Sequence, residues 1–527
     1  MNQFTATGGR RRRRSLLALT LVLALLGGAC GGGDDDDTSS TPADEDGGGA
    51  GGGERSGVFQ WGADLALTRW DPHKATLGQD AVWLFTVYDR LVHLDPEGEP
   101  IPGLAESWEF SDDGTVLTLK LRPDVTFQDD EPFDADAVKA NIERAKTLED
   151  SSVAGDLATV ETVEVVDPLT VALNLTQADA ALPQRLSDRA GAMVSPAAFE
   201  SDLDTQPVGA GMFRLTDYVE GDKATLEAYD GYWDPDAVKV EGMEIYAITD
   251  PVTRLSALSD GQLDATVLAA GDAATAEDQG FAVTPYESLE VWYLGLNSSK
   301  GELGTVEARQ AIMRGIDREA IIDAVWFGLG TPAVQMFPEG YFANDADTTG
   351  DDWGYDPDAA RELLDEAGLA DGFPLEIIVP GPGPVATAEA VAAQLGEIGI
   401  DTTLRQVDAT QASALFNTNQ EGDAIIGPWS GRPDPTQVSG TLYIAEGFFN
   451  VSGESTPDLE RLHAEGLATS DPDARAEVVQ DLSAEMTRSA FQIPLFFPKK
   501  PLAAAEGVDG LVPYAGKLEF RGVSVSD

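Results

Sequence analysis

Hydrophobic and polar positions divide the chain after residue 57 into two textures. A buried strand is predicted over 58–63, where Val58, Phe59, Trp61 and Ala63 are apolar. Residues 80–91 have helical spacing, with Val82, Phe85 and Leu91 among the apolar positions. Residues 109–121 read as a hairpin: Trp108 and Phe110 precede the turn Ser111-Asp112-Asp113-Gly114, and Leu117, Leu119 and Leu121 alternate after it. A helix over 134–146 and a second hairpin turning at Asp167-Pro168 follow. Later, strands over 375–379, 402–407 and 423–429 interleave with helices. Those helices open repeatedly on Asp-Pro, at Asp250-Pro251, Asp356-Pro357 and Asp471-Pro472. Aspartate accepts the orphan amide hydrogens of a first turn, and proline at the first helical position loses nothing by lacking its own. The later region therefore reads as an α/β layer, and 100–250 as a hairpin-rich mixed α and β region. No internal repeat is visible. At 527 residues the chain exceeds one hydrophobic core, so more than one domain is expected.

The pattern before residue 58 is of another kind. Residues 1–29 hold five consecutive arginines, Arg10 to Arg14, and an apolar run from Leu16 to Leu26. A basic start, a short apolar stretch and the small residues Gly27-Gly28-Ala29 describe an export signal. Spanning a bilayer as a permanent helix needs about 20 residues, which this run lacks. Cys30, the only cysteine of the chain, stands where cleavage would make it the new N-terminus. The segment resembles a bacterial lipobox, with Gly27 where a leucine is usual, and that resemblance implies acylation of Cys30. A plain signal-peptidase site beside an incidental cysteine is the alternative. Arg13-Arg14-Ser15-Leu16-Leu17 also resembles a twin-arginine signal, which leaves the export route open. Residues 30–57 are rich in glycine and aspartate and hold almost nothing that could bury a core, so a disordered tether is expected.

Charge narrows the partners. The chain has 34 Lys+Arg against 92 Asp+Glu, a net charge of −58. Loss of the signal leaves 29 basic residues against the same 92, a net charge of −63. Such a surface repels phosphates, which argues against nucleic acid and against membrane contact other than through a lipid anchor. One cysteine and three histidines (His73, His93, His463) exclude disulfide scaffolds and leave little for Cys/His metal sites, so no cofactor or metal is expected. Asp345 to Asp356 has some of the spacing of a calcium loop, but Thr349 and Asp356 stand at unsuitable positions. A solvated acidic turn leading into a helix cap explains it more simply.

Ordered segments across 58–527 carry a resemblance. Val87-Tyr88-Asp89-Arg90-Leu91-Val92, Pro102-Gly103-Leu104-Ala105-Glu106-Ser107-Trp108 and Pro132-Phe133-Asp134-Ala135-Asp136-Ala137-Val138 come first. Pro207-Val208-Gly209-Ala210-Gly211-Met212-Phe213, Tyr293-Leu294-Gly295-Leu296-Asn297 and Ile316-Asp317-Arg318-Glu319-Ala320-Ile321 follow, then Tyr355 to Gly368 and Ile493-Pro494-Leu495. Together they resemble the peptide/nickel/opine-type family 5 extracellular solute-binding proteins of ABC importers. One departure is Phe127-Gln128-Asp129-Asp130, where the family often has Phe-His-Asp-Gly. The resemblance implies an α/β, two-lobed, Venus-flytrap fold with hinge-crossing strands, working as a monomer with a permease and its ATPase at the outer face of the cell membrane. It implies a first lobe of 58–289 plus 491–527 and a second lobe of 290–490, with crossing segments at 290–297 and 491–497.

For the ligand site, the loop Gly427-Pro428-Trp429-Ser430-Gly431-Arg432-Pro433-Asp434-Pro435 leaves the end of a predicted strand, where α/β sheets place ligand loops. Peptide binders of the family commonly carry an amine-pairing aspartate near this point, and this chain has Arg432 there. Arginine offers a planar fork suited to carboxylate or phosphate. Arg432 is expected to meet a ligand anion, with Trp429 as a stacking wall, or else to pair internally with Asp434 or another carboxylate. Asp434, Trp61 and Asn297 complete the candidate set. No P-loop, nucleophile elbow or zinc motif is present, so a secreted hydrolase is a weaker alternative, as is a sensing lipoprotein without a transporter.

Overall fold

The computed structural model describes residues 55–514 and 517–526. The expected export signal, Cys30 and the expected tether up to residue 54 lie outside the described residues. Strand Val58–Ala63 forms as expected and joins a twelve-stranded sheet that holds the molecule together. In that sheet Val58–Ala63 lies between Gly242–Ala247 and Ala265–Val267, parallel to both. At the other end Pro374–Pro380 runs parallel to Asp401–Val407 and Ala424–Trp429. Leu375, Ile377, Ile378 and Val379 are all buried, so this strand is covered on both faces, as a parallel strand between helix layers must be. The layers include Pro357–Glu366, whose Ala360 and Leu364 face inward one turn apart while Arg361 and Glu362 face solvent.

The two ends share one strand. Gln492–Ala504 is thirteen residues long; its first part pairs with Val291–Leu296 and its last part with Ala282–Glu287. Ser288, Leu289 and Glu290 link those two partners, so both chain passages run side by side from one end of the sheet to the other. The crossing is therefore longer than the two short segments named from sequence.

A separate four-stranded antiparallel sheet takes the order Ala105–Phe110, Val116–Leu121, Thr170–Leu175, Val160–Asp167. Leu117, Leu119 and Leu121 alternate inward from it against helix Ala135–Thr147, forming their own core. Burying each such side chain stabilises the fold by about 1.5–3 kcal/mol. The aspartate caps hold where they were expected: Asp250, Asp356 and Asp471 accept from the amides of Thr253, Ala359 and Ala474. Among the described residues no helix is long and apolar enough to cross a membrane.

One element ends early. The helix expected over 80–91 is Ala81–Val87, and Tyr88 is already extended. The Val87 carbonyl is taken instead by the Gly211 amide (2.8 Å) and by the Gln128 side chain (3.2 Å). A Cβ at Gly209 would fall 2.3 Å from that carbonyl oxygen, so this strand of chain packs there only because it is bare. Gln128 also donates to the carbonyls of Gly211 and Phe213. The departure from the family's histidine thus leaves a buried amide stitching three segments together.

Candidate solute-binding site

The loop that follows Ala424–Trp429 is pressed against the crossing. Gly431 has φ +72°, and a Cβ there would lie 2.2 Å from the Leu289 carbonyl, in the link between the crossing strands. Tyr341 anchors the same loop by donating its hydroxyl to the Pro433 carbonyl. Helix Pro435–Leu442 then begins at Asp434. Trp429 is 8% exposed, sits edge-on to Phe449 at 5.4 Å, and its indole N–H has no partner among the described residues. Phe449 in turn meets the exposed Phe448 at 4.8 Å.

Arg432 is half-buried. Its guanidinium donates to the Gly431 carbonyl (2.9 Å) and the Ser430 hydroxyl (3.3 Å), and lies 5.5 Å from the Trp429 ring centre. Pairing with Asp434, one of the alternatives open from sequence, does not occur. Asp434 is fully buried, with one oxygen held by the Thr436 amide and hydroxyl and the other by Arg475 at 2.6 Å. Burial acts to raise its pKa, but Arg475, Thr436 and Arg185 hold it below the ordinary carboxylate range. Asp434 is thus a helix cap and an ion-pair partner rather than a free ligand group.

Two further candidates are also engaged internally. Trp61 is 2% exposed and packs on Phe59 and Phe520 in the core beside its strand, with an indole N–H that has no partner among the described residues. Asn297 is fully buried and closes a turn: its side-chain oxygen accepts from Ser299, and its amide donates to the Gln420 carbonyl. Of the five candidates, the structure brings Trp429 and Arg432 together on one loop and leaves Trp61 and Asn297 apart from it.

Residues that no sequence signal marked approach from the short helical turn Ala154–Leu157, whose Leu157 packs in the core of the four-stranded sheet. Gln437, in the first turn after Asp434, donates to the Asp156 carboxylate at 3.3 Å. Nearby, the Ala180 amide donates to the Leu467 carbonyl at 2.9 Å. The Asp156 pKa is raised by burial and by the Asp188 charge, against the opposing pull of Arg432, Arg185 and Arg189. A cavity of about 240 Å³ opens beside the crossing, lined among others by Glu97, Ser288, Leu289 and Tyr341. A second, of about 290 Å³, lies wholly among residues 71–204 and so does not sit between the two ends of the sheet. Around Asp345, the side-chain oxygens are occupied by Asp347 and Thr348, and no cluster of metal-ligating residues is present among the described residues.

A sheet shared through two crossing strands, with a ligand-type loop seated on the crossing, defines a two-lobed binding protein. The chain belongs to the bacterial extracellular solute-binding proteins, family 5, whose family model (its middle part) matches residues 99–450, and it is a solute-binding protein of the ABC-import class. The glutathione-binding protein GsiB of Salmonella paratyphi A is 28% identical over 474 residues, 84% of this chain and 89% of that protein. GsiB of Escherichia coli K12 is 27% identical over 470 residues, with the same coverage. Among solved structures, NikA from Brucella suis in complex with Fe(III)-EDTA superposes with a TM-score of 0.79 at 26% identity, covering 89% of this chain and 100% of that one. HbpA2 from Haemophilus parasuis has the same TM-score, identity and coverage.

Proposed function

We propose that this protein captures a peptide-like or other small polar solute between its lobes and delivers it to a membrane permease driven by an ATPase, while a lipid on Cys30 holds it at the outer face of the membrane as a monomer. The lobes in this reading are 58–289 plus 491–527 and 290–490. The observation that carries it is the shared strand Gln492–Ala504 with the Gly431 loop packed on Leu289 beside it. Any rotation about the crossing moves that loop, so a solute held by it is coupled to closure. Closure is then a shift toward whichever state the solute binds better. On the loop, Arg432 supplies donors and Trp429 an apolar wall. Support for a peptide-like solute comes from the GsiB relatives, which are named for glutathione. The family is one of binding proteins, and no catalytic role is assigned to any residue here.

A thermal-shift screen of the purified protein tests the reading. It should span glutathione, di- and tripeptides, opine-like conjugates, oligosaccharides and metal chelates. A ligand at 100 times its Kd stabilises the folded state by about 2.7 kcal/mol, which gives a clear shift. No shift from any class would remove the solute-capture reading.

A further inference from the structure

One bulky side chain stands in a backbone conformation that a helix end ordinarily gives to glycine. Helix Arg318–Val325 ends at Trp326, and the next residue, Phe327, has φ +56°. That left-handed conformation is a true outlier for a bulky residue, and after a helix it is usually filled by glycine or asparagine. Burial does not repay it, because Phe327 is 69% exposed. The turn around it is firmly held. The Gly328 amide donates to the Ile322 carbonyl at 3.1 Å and the Leu329 amide to the Trp326 carbonyl at 2.8 Å. Trp326 packs on Trp292 and Phe496 of the crossing, with ring centres at 4.9 and 5.1 Å. From this fixed turn the Phe327 ring reaches Gly271, where a Cβ would lie 3.3 Å from two of its ring carbons.

Gly271 and Phe327 come from opposite ends of the crossing. Strand Gln492–Ala504 has Val291–Leu296 and Ala282–Glu287 along one edge. On its other edge Gly330–Pro332 pairs with Pro498, Phe497 and Phe496, and Ala265–Val267 with Ala504, Ala503 and Leu502. Lys499, Lys500 and Pro501 lie between those two partners. The Lys499 amide donates to the Leu329 carbonyl at 3.2 Å, and the Pro501 carbonyl accepts from the Leu268 amide at 2.8 Å. One loop from each side thus ends on the same short stretch, and Phe327 reaches from one loop to the other. The two sides also meet at a mouth far from this edge. There Ala180 donates to the Leu467 carbonyl, and a Cβ at Gly114 would lie 3.9 Å from the Ala468 carbonyl oxygen.

We propose that Phe327 is a strut across the outer edge of the hinge, whose ring on Gly271 favours the state in which the mouth contacts are made. This rests on the two-lobe reading above and adds to it a device that sets the resting position of the lobes before any solute arrives. Rotation about 499–501 parts Phe327 from Gly271, since one lies on each side, and uncovers apolar surface. The bare Gly271 permits the close approach. A contact made in one of two states shifts their populations, whereas the left-handed turn is present in both and costs only fold stability. Removing the ring should therefore open the lobes without weakening the fold.

The test places spin labels on Asp112→Cys and Ser470→Cys, exposed positions on the two sides of the mouth, in the full chain carrying Cys30→Ser. Double electron–electron resonance without solute then reads the ratio of short to long separations. About a third of Phe327 is covered, so Phe327→Gly should lower that ratio about two- to fivefold. Its melting temperature should be unchanged or higher, because glycine suits the turn. Phe327→Tyr keeps the ring and should keep the ratio. An unchanged ratio in Phe327→Gly overturns the proposal, as does an equal fall in Phe327→Tyr. Where both separations are seen and the ratio does not respond, the strut falls and the two-lobe reading stands. One short separation in every variant removes both.

Discussion

The cluster around Asp89 and the loop at Arg432 are built from the same materials, arginine, carboxylate and aromatic rings, and they reach different ends. At Asp89 each charged side chain finds an oppositely charged or hydrogen-bonding partner inside the fold, although Nε of Arg90 has none among the described residues. Its carboxylate meets His93 at 2.5 Å, the Trp233 indole at 2.6 Å and the Tyr232 hydroxyl at 3.1 Å. Arg90 makes a two-pronged contact with Glu519 at 2.7 and 2.9 Å, and Arg521 joins Glu519 at 2.9 Å and His93 at 2.9 Å. The cluster clamps the end of the chain onto the first helix. Among the described residues the Arg432 guanidinium holds only its own loop. A family-like stretch such as Tyr88-Asp89-Arg90 is thus structural, and the functional candidate is the charge whose bonding is incomplete.

The largest effect that would test this contrast is Glu519→Ala. Both side chains of the Arg90–Glu519 pair are about 5% exposed, at 4% and 5%. Removing one partner of a buried pair costs about 3–5 kcal/mol, because the other is left charged and dry. Denaturant unfolding should show that loss, while the solute affinity of the folded fraction stays unchanged. A stable variant would mean the clamp is not what holds the chain end.

Acidification separates the two regions next. Burial pushes the Glu519 pKa up, but Arg90 and Arg521 bring it from 4.5 down to about 2. Asp89 is likewise held below the usual range: burial opposes this, and His93 and Arg90 outweigh it. For a depressed carboxylate the stabilisation is fully present above the unfolded-state pKa and is lost as pH falls toward the folded one. Stability should therefore fall as pH drops from 4.5 toward about 2, and the fall should be shallower in Glu519→Gln. Parallel curves for the two proteins would count against the assignment.

Gly431→Ala probes the loop itself. With φ +72° and the Leu289 carbonyl 2.2 Å from the new Cβ, the backbone must shift. A strained backbone site of this kind costs about 1–3 kcal/mol. The expected signature is a moderate drop in melting temperature with a larger loss of solute affinity, since the loop is displaced from the crossing. The smallest stability effect belongs to Arg432→Ala. It breaks no ion pair, so its unfolding free energy should change by no more than about 0.5 kcal/mol, a value typical of surface sites. A large destabilisation would show that the guanidinium is structural after all.

Much of the fold is legible in local pattern because its causes are local. The alternation of Leu117, Leu119 and Leu121 places a strand, and Asp356-Pro357 starts a helix, wherever the rest of the chain goes. The helix after Asp80 shows the limit. Its apolar spacing continues to Leu91, but the structure breaks it at Val87, whose carbonyl bonds with Gly211 and Gln128 far along the chain. Leu91 is buried all the same, in the core of the four-stranded sheet. The site divides in the same way. Trp429 and Arg432 could be picked out because they sit together at a strand end, whereas Asp156 is one of 92 acidic residues with nothing local to mark it.

By itself, then, the sequence determined the family, the alternating elements, the capped helix starts and the unusual cation on the loop. These depend on neighbours a few residues apart, or on segments whose order survives in one dimension. Only the tertiary structure decided which charges are satisfied. Asp434 lies two residues from Arg432 yet pairs with Arg475, 41 positions away, while Asp156 comes to face the loop from 281 positions before Gln437. Ion pairing falls steeply with distance and depends on burial, and both are properties of the packed chain.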